Sequence, residues 1–272
     1  ANIPDVLLIS SIEDLQETHF KDKQCIAVTS GSSTPNSLTK QVIETLQKYA
    51  KTGVLRYIGH LDVMRYYQKA IRRAGLDVTY SQGYSPHQLI TFAAPLGLGV
   101  TSEGEYFDAE MNTVTTSADM VARLNETMVP GMEVKDIVAL KEGAKTAMAV
   151  VAGSDYVIRM REGYGDIQTF QQALEGFYGQ EKIEVVKVSK TKETLMDIKP
   201  FIFKINSRND GIYMLLSTGS VDNIKPELVM EAMCRYLSID YQKMAFRVHR
   251  LETYMRNEQG ELVSLLEAGE RF

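Results

Sequence analysis

The stretch "GHLDVMRYYQKAIRRAGLDVTYSQGYSPH", residues 59–87, decides how the middle of this chain folds. Apolar residues recur at helical spacing from residue 61 onward, and Gly75 is a typical helix stop. We therefore predict a helix over residues 60–75. Its expected buried face carries Leu61, Met64, Tyr67, Ile71 and Ala74. The run after it, "LDVTYS", has the composition of a strand.

Basic residues occupy the other side of this predicted helix. Arg65, Lys69 and Arg72 follow one another at steps of four and three, and Arg73 adjoins them, so all four line one face. Residues 53–90 hold five Lys and Arg against two Asp, a net charge of +3, in a chain whose formal charge is −5. This local excess of positive charge predicts a surface for a polyanion.

Tyrosines, histidines and a glutamine accompany the basic residues. Aromatic rings and hydrogen-bond donors beside Lys and Arg are the combination that single-stranded RNA recognition uses. The candidate nucleic-acid-binding residues are Arg56, His60, Arg65, Lys69, Arg72, Arg73, Gln82, Tyr84 and His87. The alternative interpretation is a solvated helix face with a few surface tyrosines.

Two of these histidines and the nearby Asp62 also allow metal binding or acid–base chemistry. His60, Asp62 and His87 could converge as metal ligands or as an acid–base pair. A histidine that opens a helix beside a carboxylate is more often only a cap. We therefore expect no catalytic residue and no metal site here.

The order of elements on either side of this stretch repeats. Strand, helix, two strands, helix and strand are predicted from the strand-like run at residues 54–59 to residue 140, and the same order returns over residues 155–256. This is the split βαβ arrangement of ferredoxin-like domains. The expected fold is α+β, with a partial α/β segment at 1–52, two tandem ferredoxin-like (βαββαβ) units at 53–145 and 150–256, and a tail at 257–272.

The first 50 residues follow another pattern. Apolar runs at residues 5–9 and 25–29 predict buried strands, and "GSSTPNSLTKQVIETL" after the second run predicts a helix that extends through Leu46. The turn "GSSTP" (31–35) offers N–H and hydroxyl donors that suit a phosphate or diphosphate, although an ordinary helix also begins this way. Because the chain opens directly on a strand-like run, we expect either the end of a longer protein or a trimmed chain.

Composition limits the class of protein. With 44% hydrophobic residues, the 272-residue chain can bury real cores. Its two cysteines, Cys25 and Cys234, are too few for a disulfide framework, a four-thiolate zinc site or a full iron–sulfur ligand set. The first residues, "ANIPDVLLISS", fit neither a secretory signal nor a membrane span. We expect a cytoplasmic chain without membrane contact and without a cofactor of its own.

Several short motifs occur together between residues 56 and 111. They are "GHLD" at 59–62, "RRAG" at 72–75, "SQGY" at 81–84, "PH" at 86–87 and "SEGEY" at 102–106. In these motifs the chain resembles a bacterial domain of unknown function that accompanies radical SAM proteins, with similarity extending to about residue 256. Ser85 is a departure, since asparagine commonly follows the aromatic residue in that family.

This resemblance implies an accessory role. A radical SAM protein would be the partner, fused or adjacent, and this domain would bind or present a substrate without catalysing the reaction. The cluster motif CxxxCxxC is absent from the chain, so any radical chemistry would come from that partner. Structured RNA is the substrate that we expect.

A second resemblance covers about the first 50 residues. "VLLISSIEDLQ" and "CIAVTSGSSTPNSLTKQVIETL" are similar to the extreme C-terminal part of 4-hydroxy-3-methylbut-2-enyl diphosphate reductase, an iron–sulfur enzyme of isoprenoid biosynthesis. The resemblance implies that Ser33 binds the substrate diphosphate. The family's three cluster cysteines lie upstream of this segment and Cys25 matches none of them, so an iron–sulfur cluster would have to come from an upstream part or a partner. The alternative function is therefore a fragment of this reductase, inactive without its cysteine-bearing part.

Overall fold

A computed structural model of the chain describes residues 43–188, 193–219 and 222–272. The contacts separate Ala1–Val42 from a second unit, Ile43–Phe272. The predicted strands at residues 5–9 and 25–29, the "GSSTP" turn and Ser33 all lie outside the described residues.

The first half of the described unit alternates strands with two helices. Its elements are β1 (Ile43–Lys51), α1 (His60–Arg73), β2 (Ile90–Phe92), β3 (Thr101–Met111), α2 (Ser117–Glu126) and β4 (Met132–Leu140). Helices α1 and α2 and strand β4 agree within two residues with the helices predicted at 60–75 and 117–128 and the strand predicted at 132–140, because each has a clear hydrophobic period of its own.

The second half begins with a single helical turn. Its elements are α3 (Ala147–Val150), β5 (Val151–Met160), α4 (Ile167–Gly179), β6 (Glu184–Val188), β7 (Glu193–Asp197), β8 (Ile202–Arg208), β9 (Gly211–Ser217), α5 (Pro226–Tyr236), β10 (Phe246–Arg256), β11 (Leu262–Ser264) and β12 (Gly269–Glu270). Within the described residues, β6 and β7 pair only with each other, as a separate hairpin.

Strands from both halves join in one large mixed sheet. In the described part of the chain its order is β12-β4-β1-β3-β10-β5-β9-β8, with β11 paired to β10 and β2 paired to β3. The halves meet where β3 and β10 run parallel, with Thr101 opposite His249 and Ser102 opposite Arg250. In each half, the fourth strand lies beside the first, the first beside the third, and the third beside the second.

Apolar side chains cover both faces of this sheet. Tyr67 and Ile71 of α1 pack with Phe107 of β3 in one buried cluster. Tyr106, the neighbour of Phe107, lies in another cluster with Leu265, because successive residues of a strand face opposite sides. A third cluster fills the second half, with Phe170, Phe177, Met214 and Met230 among its buried members. Burial of each large side chain stabilises the fold by about 1.5–3 kcal/mol.

The N-terminal boundary of this unit differs from the prediction. The predicted helix through Leu46 is wrong for residues 43–51, which form β1 between β3 and β4. Thr45 and Gln47 are buried on one side of this strand and Leu46 on the other, so the strand is covered on both faces. Pairing on both edges and burial on both faces override a local helical spacing. The expected break between residues 52 and 53 therefore moves to residue 43.

Three further predictions about local structure are corrected. Within the expected strand at residues 54–59, the structure has a 3-10 helix, Gly53–Tyr57. Its first residue, Gly53, has a φ angle of +60°. Leu61, expected on the buried face of the helix, is 61% exposed. The expected tail at 257–272 contributes β11 and β12 to the sheet and buries Leu265. Pairing with β10 and β4 is a long-range contact that local sequence does not reveal.

Candidate nucleic-acid interface

Helix α1 presents the candidate side chains, and its ends are well defined. The N–H groups of Asp62 and Val63 donate to the carbonyl of Gly59 at 3.1 and 3.0 Å, which starts the helix. At the other end Gly75 takes φ +64°, and the guanidinium of Arg123 donates to the carbonyls of Ala74 and Gly75 at 2.7 Å each. These contacts define the two ends of the helix, and the packing of Tyr67 and Ile71 in the core leaves its other face outward.

The face of α1 that points away from the core is cationic. We call Arg65, Lys69, Arg72 and Arg73 the basic face, and all four are exposed. Arg65 lies 3.5 Å from Asp62, but both side chains are about two-thirds exposed, so this ion pair contributes little. Arg73 donates to the carbonyl of Thr127 at 3.4 Å. With carboxylates of the described residues, Lys69, Arg72 and Arg73 make no ion pair.

A short exposed loop carries three further candidates. Loop 81–87 is closed by Ser81 and His87: the N–H of Ser81 donates to the carbonyl of His87 at 2.8 Å, and the two side chains are 2.8 Å apart from Oγ to Nδ1. Gly83 takes φ +116° at the tip. Gln82 and His87 are exposed, and the side chain of Tyr84 is fully exposed. The loop therefore holds an aromatic ring out in solvent on a closed base.

Arg72 connects this loop to the helix. Tyr80, at the base of the loop, accepts a hydrogen bond from the Gln88 amide at 3.3 Å, which lowers the pKa of Tyr80, and the nearby Arg72 lowers it further. The C-terminal turn of α1 and loop 81–87 are thus neighbours. We call the surface they form the α1–loop surface; it consists of Lys69, Arg72, Arg73, Gln82, Tyr84 and His87.

The remaining candidates, Arg56 and His60, lie at the other end of α1. His60 is half-buried, with its ring centroid 5.1 Å from that of Phe92. Burial lowers the pKa of His60, although Glu105 acts in the opposite direction. Arg56 belongs to the 3-10 helix that precedes α1. At 1.5 Å per residue, the two ends of α1 are about 20 Å apart, so the nine candidates do not form one compact site.

A buried ion pair holds the two halves together close to His60. Arg250 of β10 donates from Nε to the Glu105 carboxylate of β3 at 2.7 Å, and from Nη2 to the carbonyl of Ala94 at 2.6 Å. The two charged side chains are 4% and 3% exposed. Sequence patterns gave no signal for this pair, because its members are 145 positions apart.

The histidines do not assemble a metal centre. His60 and His87 lie at different ends of α1, and within the described ranges no three His, Cys, Asp or Glu side chains come together as a metal site. None of the helices in those ranges combines the length and apolar character that crossing a bilayer requires.

The described residues define a mixed α/β protein with a cationic, tyrosine-bearing surface along one helix. Residues 45–226, more than half of the chain, match the family described as "uncharacterized protein conserved in bacteria (DUF2344)". The chain belongs to this family. The predicted resemblance to a bacterial domain of unknown function is thereby confirmed, and its association with radical SAM proteins stays a prediction.

The N-terminal residues have separate relatives. Residues 1–47 match the LytB protein family. Over 42 residues the chain is 48% identical to 4-hydroxy-3-methylbut-2-enyl diphosphate reductase of Symbiobacterium thermophilum, a match that covers 15% of this chain and 14% of the reductase. The predicted resemblance of this segment is confirmed.

Solved structures add little. A chain of a Cbf5–Nop10–Gar1 complex is 11% identical with a TM-score of 0.39, covering 79% of this chain and 50% of that one. An unknown protein from Galdieria sulphuraria is 10% identical with a TM-score of 0.25, covering 78% and 99%. Both TM-scores are under 0.5, so neither likeness carries an argument.

Proposed function

We propose that the unit formed by residues 43–272 is a non-catalytic accessory domain that binds structured RNA on the α1–loop surface. The observation that carries the proposal is the set of exposed cations at the C-terminal turn of α1, which no carboxylate of the described residues neutralises. Phosphate groups are the polyanionic partner that such a surface attracts, through release of counterions. Tyr84 adds an exposed ring on which an unpaired base can stack.

A radical SAM protein is the partner that we propose for this domain. The support is the motif resemblance of residues 56–111, and the iron–sulfur cofactor would belong to that partner. We further propose a cytoplasmic location, since Cys234 is a buried free thiol, as expected of a reducing compartment.

We also propose that each half is a ferredoxin-like unit. The strand orders β4-β1-β3-β2 and β10-β5-β9-β8 support this, because both place the fourth, first, third and second strands of a βαββαβ unit side by side. Superposition of the two halves on each other is the test; unrelated helix positions would argue against a repeat.

RNA titration tests the main proposal. The variant Lys69→Gln/Arg72→Gln/Arg73→Gln should bind a structured RNA more weakly than the unchanged protein. Its plot of log K against log salt concentration should be shallower by about 2–3. The control Lys141→Gln/Lys145→Gln/Lys182→Gln changes the same charge at exposed positions elsewhere and should keep the slope. Equal slopes for the two variants, or binding that salt does not weaken, would refute the assignment.

A second candidate function concerns residues 1–47. An identity of 48% to the reductase over 42 residues favours a piece of that enzyme in which Ser33 binds the substrate diphosphate. The reading frame upstream of Ala1 decides this: three cluster cysteines in frame would support the reductase, and their absence would leave the segment without its cluster. Ser33→Ala in the complete enzyme should then raise the KM for the diphosphate.

A further inference from the structure

One exposed tyrosine lies between two arginines that come from different halves of the fold. The Cζ atom of Arg56 is 4.9 Å from the centre of the Tyr57 ring, and the Tyr57 hydroxyl interacts with the guanidinium groups of both Arg56 and Arg161. Tyr57 is 55% exposed, and both arginines are half-buried. We call these three residues the arginine notch.

Backbone contacts hold the notch in place. The N–H of Gly99 donates to the carbonyl of Arg56 at 2.8 Å. The N–H of Arg161 donates to the carbonyl of Ala245 at 2.8 Å, and the carbonyl of Arg161 accepts from Tyr164 at 3.2 Å. The main chain at both arginines is therefore fixed before any ligand arrives, which reduces the entropy that a ligand must overcome.

The positive charge of the notch is not balanced by a carboxylate of the described residues. Neither arginine makes an ion pair with a carboxylate of the described residues, and the Nε atom of each is buried without a hydrogen-bond partner among them. Two guanidinium groups beside one neutral phenol repel each other. Arg56, whose guanidinium lies over the ring, lowers the pKa of Tyr57 most, and Arg161 lowers it further.

The chemistry of the notch favours a phosphate group of a nucleic acid. The two non-bridging oxygens of an RNA phosphate are arranged tetrahedrally, so each can accept from a different guanidinium group, whereas the two oxygens of a carboxylate lie in one plane and match a single guanidinium fork. An arginine stacked on an exposed aromatic ring is also a platform for an unpaired base. Leu98, 68% exposed, directly precedes Gly99 and adds apolar surface.

We propose that the arginine notch binds one phosphate of the RNA strand whose other contacts lie on the α1–loop surface. This inference rests on the proposed function. The notch adjoins the N-terminal end of α1, the α1–loop surface adjoins its C-terminal end about 20 Å away, and Arg65 is exposed between them. A strand that runs along the outer side of α1 would meet all three.

Arginine side-chain NMR on the complete chain tests the anion site without RNA. Titration with inorganic phosphate against chloride at equal ionic strength should shift the Nε–Hε signals of Arg56 and Arg161 with saturation, while the exposed Arg235 does not respond. Arg56→Gln should abolish the response of Arg161. Unchanged signals, or saturation by a polyglutamate peptide and not by phosphate, would overturn the proposal; the peptide result would point to a protein partner.

RNA titration separates this inference from the proposed function. Arg56→Gln/Arg161→Gln should weaken binding about tenfold, since hydrogen bonds to charged groups are lost, and should reduce the salt slope by about 1. Arg56→Lys/Arg161→Lys keeps the positive charge and should lose less RNA affinity than the Gln variant. This comparison separates loss of charge from a general effect of replacing the two arginines. Unchanged affinity in the Gln variant would refute RNA binding at the arginine notch without contradicting RNA binding at the α1–loop surface. Absence of RNA binding by the unchanged protein would remove both.

Discussion

Removing Arg250 should destabilise the fold more than any surface change, because it leaves a buried carboxylate without its partner. In Arg250→Met the Glu105 side chain, 3% exposed, keeps its position on β3 but loses two charge-assisted hydrogen bonds. Breaking a buried pair in this way costs about 3–5 kcal/mol. The Ala94 carbonyl loses its donor as well, which places the expected cost toward the upper end.

Urea denaturation followed by far-UV circular dichroism measures this loss, since the chain has no tryptophan. With an m-value of about 2–3 kcal/mol/M, the midpoint should fall by about 1–2 M. Arg247→Met, at an exposed position of β10, is the control and should change stability by less than about 0.5 kcal/mol.

A double variant distinguishes loss of pairing from loss of packing. Glu105→Gln/Arg250→Met removes both charges, so it should be more stable than Arg250→Met alone by about 1–3 kcal/mol. Two results would contradict the argument that the pair holds the halves together. One is a cost of less than about 1 kcal/mol for Arg250→Met; the other is a double-variant cost equal to the sum of the costs of Arg250→Met and Glu105→Gln measured singly.

Three further outcomes are expected. Ile71→Ala, in the core under α1, should cost about 2–5 kcal/mol in the same urea assay, and a smaller loss would mean that the site collapses around the cavity. Tyr84→Ala should leave stability within about 0.5 kcal/mol but weaken RNA binding by the equivalent of about 1–3 kcal/mol, because its ring contacts solvent alone in the free protein; equal affinity would exclude base stacking there. Burial raises the pKa of the Asp155 carboxyl group, which accepts hydrogen bonds from Tyr213 and Tyr254 at 3.1 Å each. The contribution of Asp155 to the free energy of unfolding is therefore full below its pKa in the unfolded chain, and it is lost as pH rises through its pKa in the folded protein. Asp155→Asn should therefore lack part of the stability decrease that the unchanged protein shows above about pH 4, and identical pH profiles would contradict this assignment.

The sequence predicted those elements whose signal is local. The helical period of residues 60–75 and the glycine after it locate α1, and the alternation of residues 132–140 locates β4. The basic face followed from the same period, because Lys69, Arg72 and Arg73 must lie opposite the buried Tyr67 and Ile71.

Features that depend on distant partners were missed or misassigned. Residues 43–51 carry an apolar spacing compatible with a helix, and only hydrogen bonding to β3 and β4 makes them a strand. The apolar run in residues 262–270 is too short to predict strands. These residues nevertheless form β11 and β12, because they pair with β10 and β4.

By itself, the sequence determined family membership, helices α1 and α2, and the separation of charge from apolar surface on α1, since a period of 3.6 residues is a property of the local chain. Tertiary structure decided which distant side chains meet: Glu105 with Arg250 inside the sheet, and Arg161 with Tyr57 at its surface. The parallel pairing of β3 with β10 joins the two halves, and no local pattern records a contact between residues so far apart in the chain.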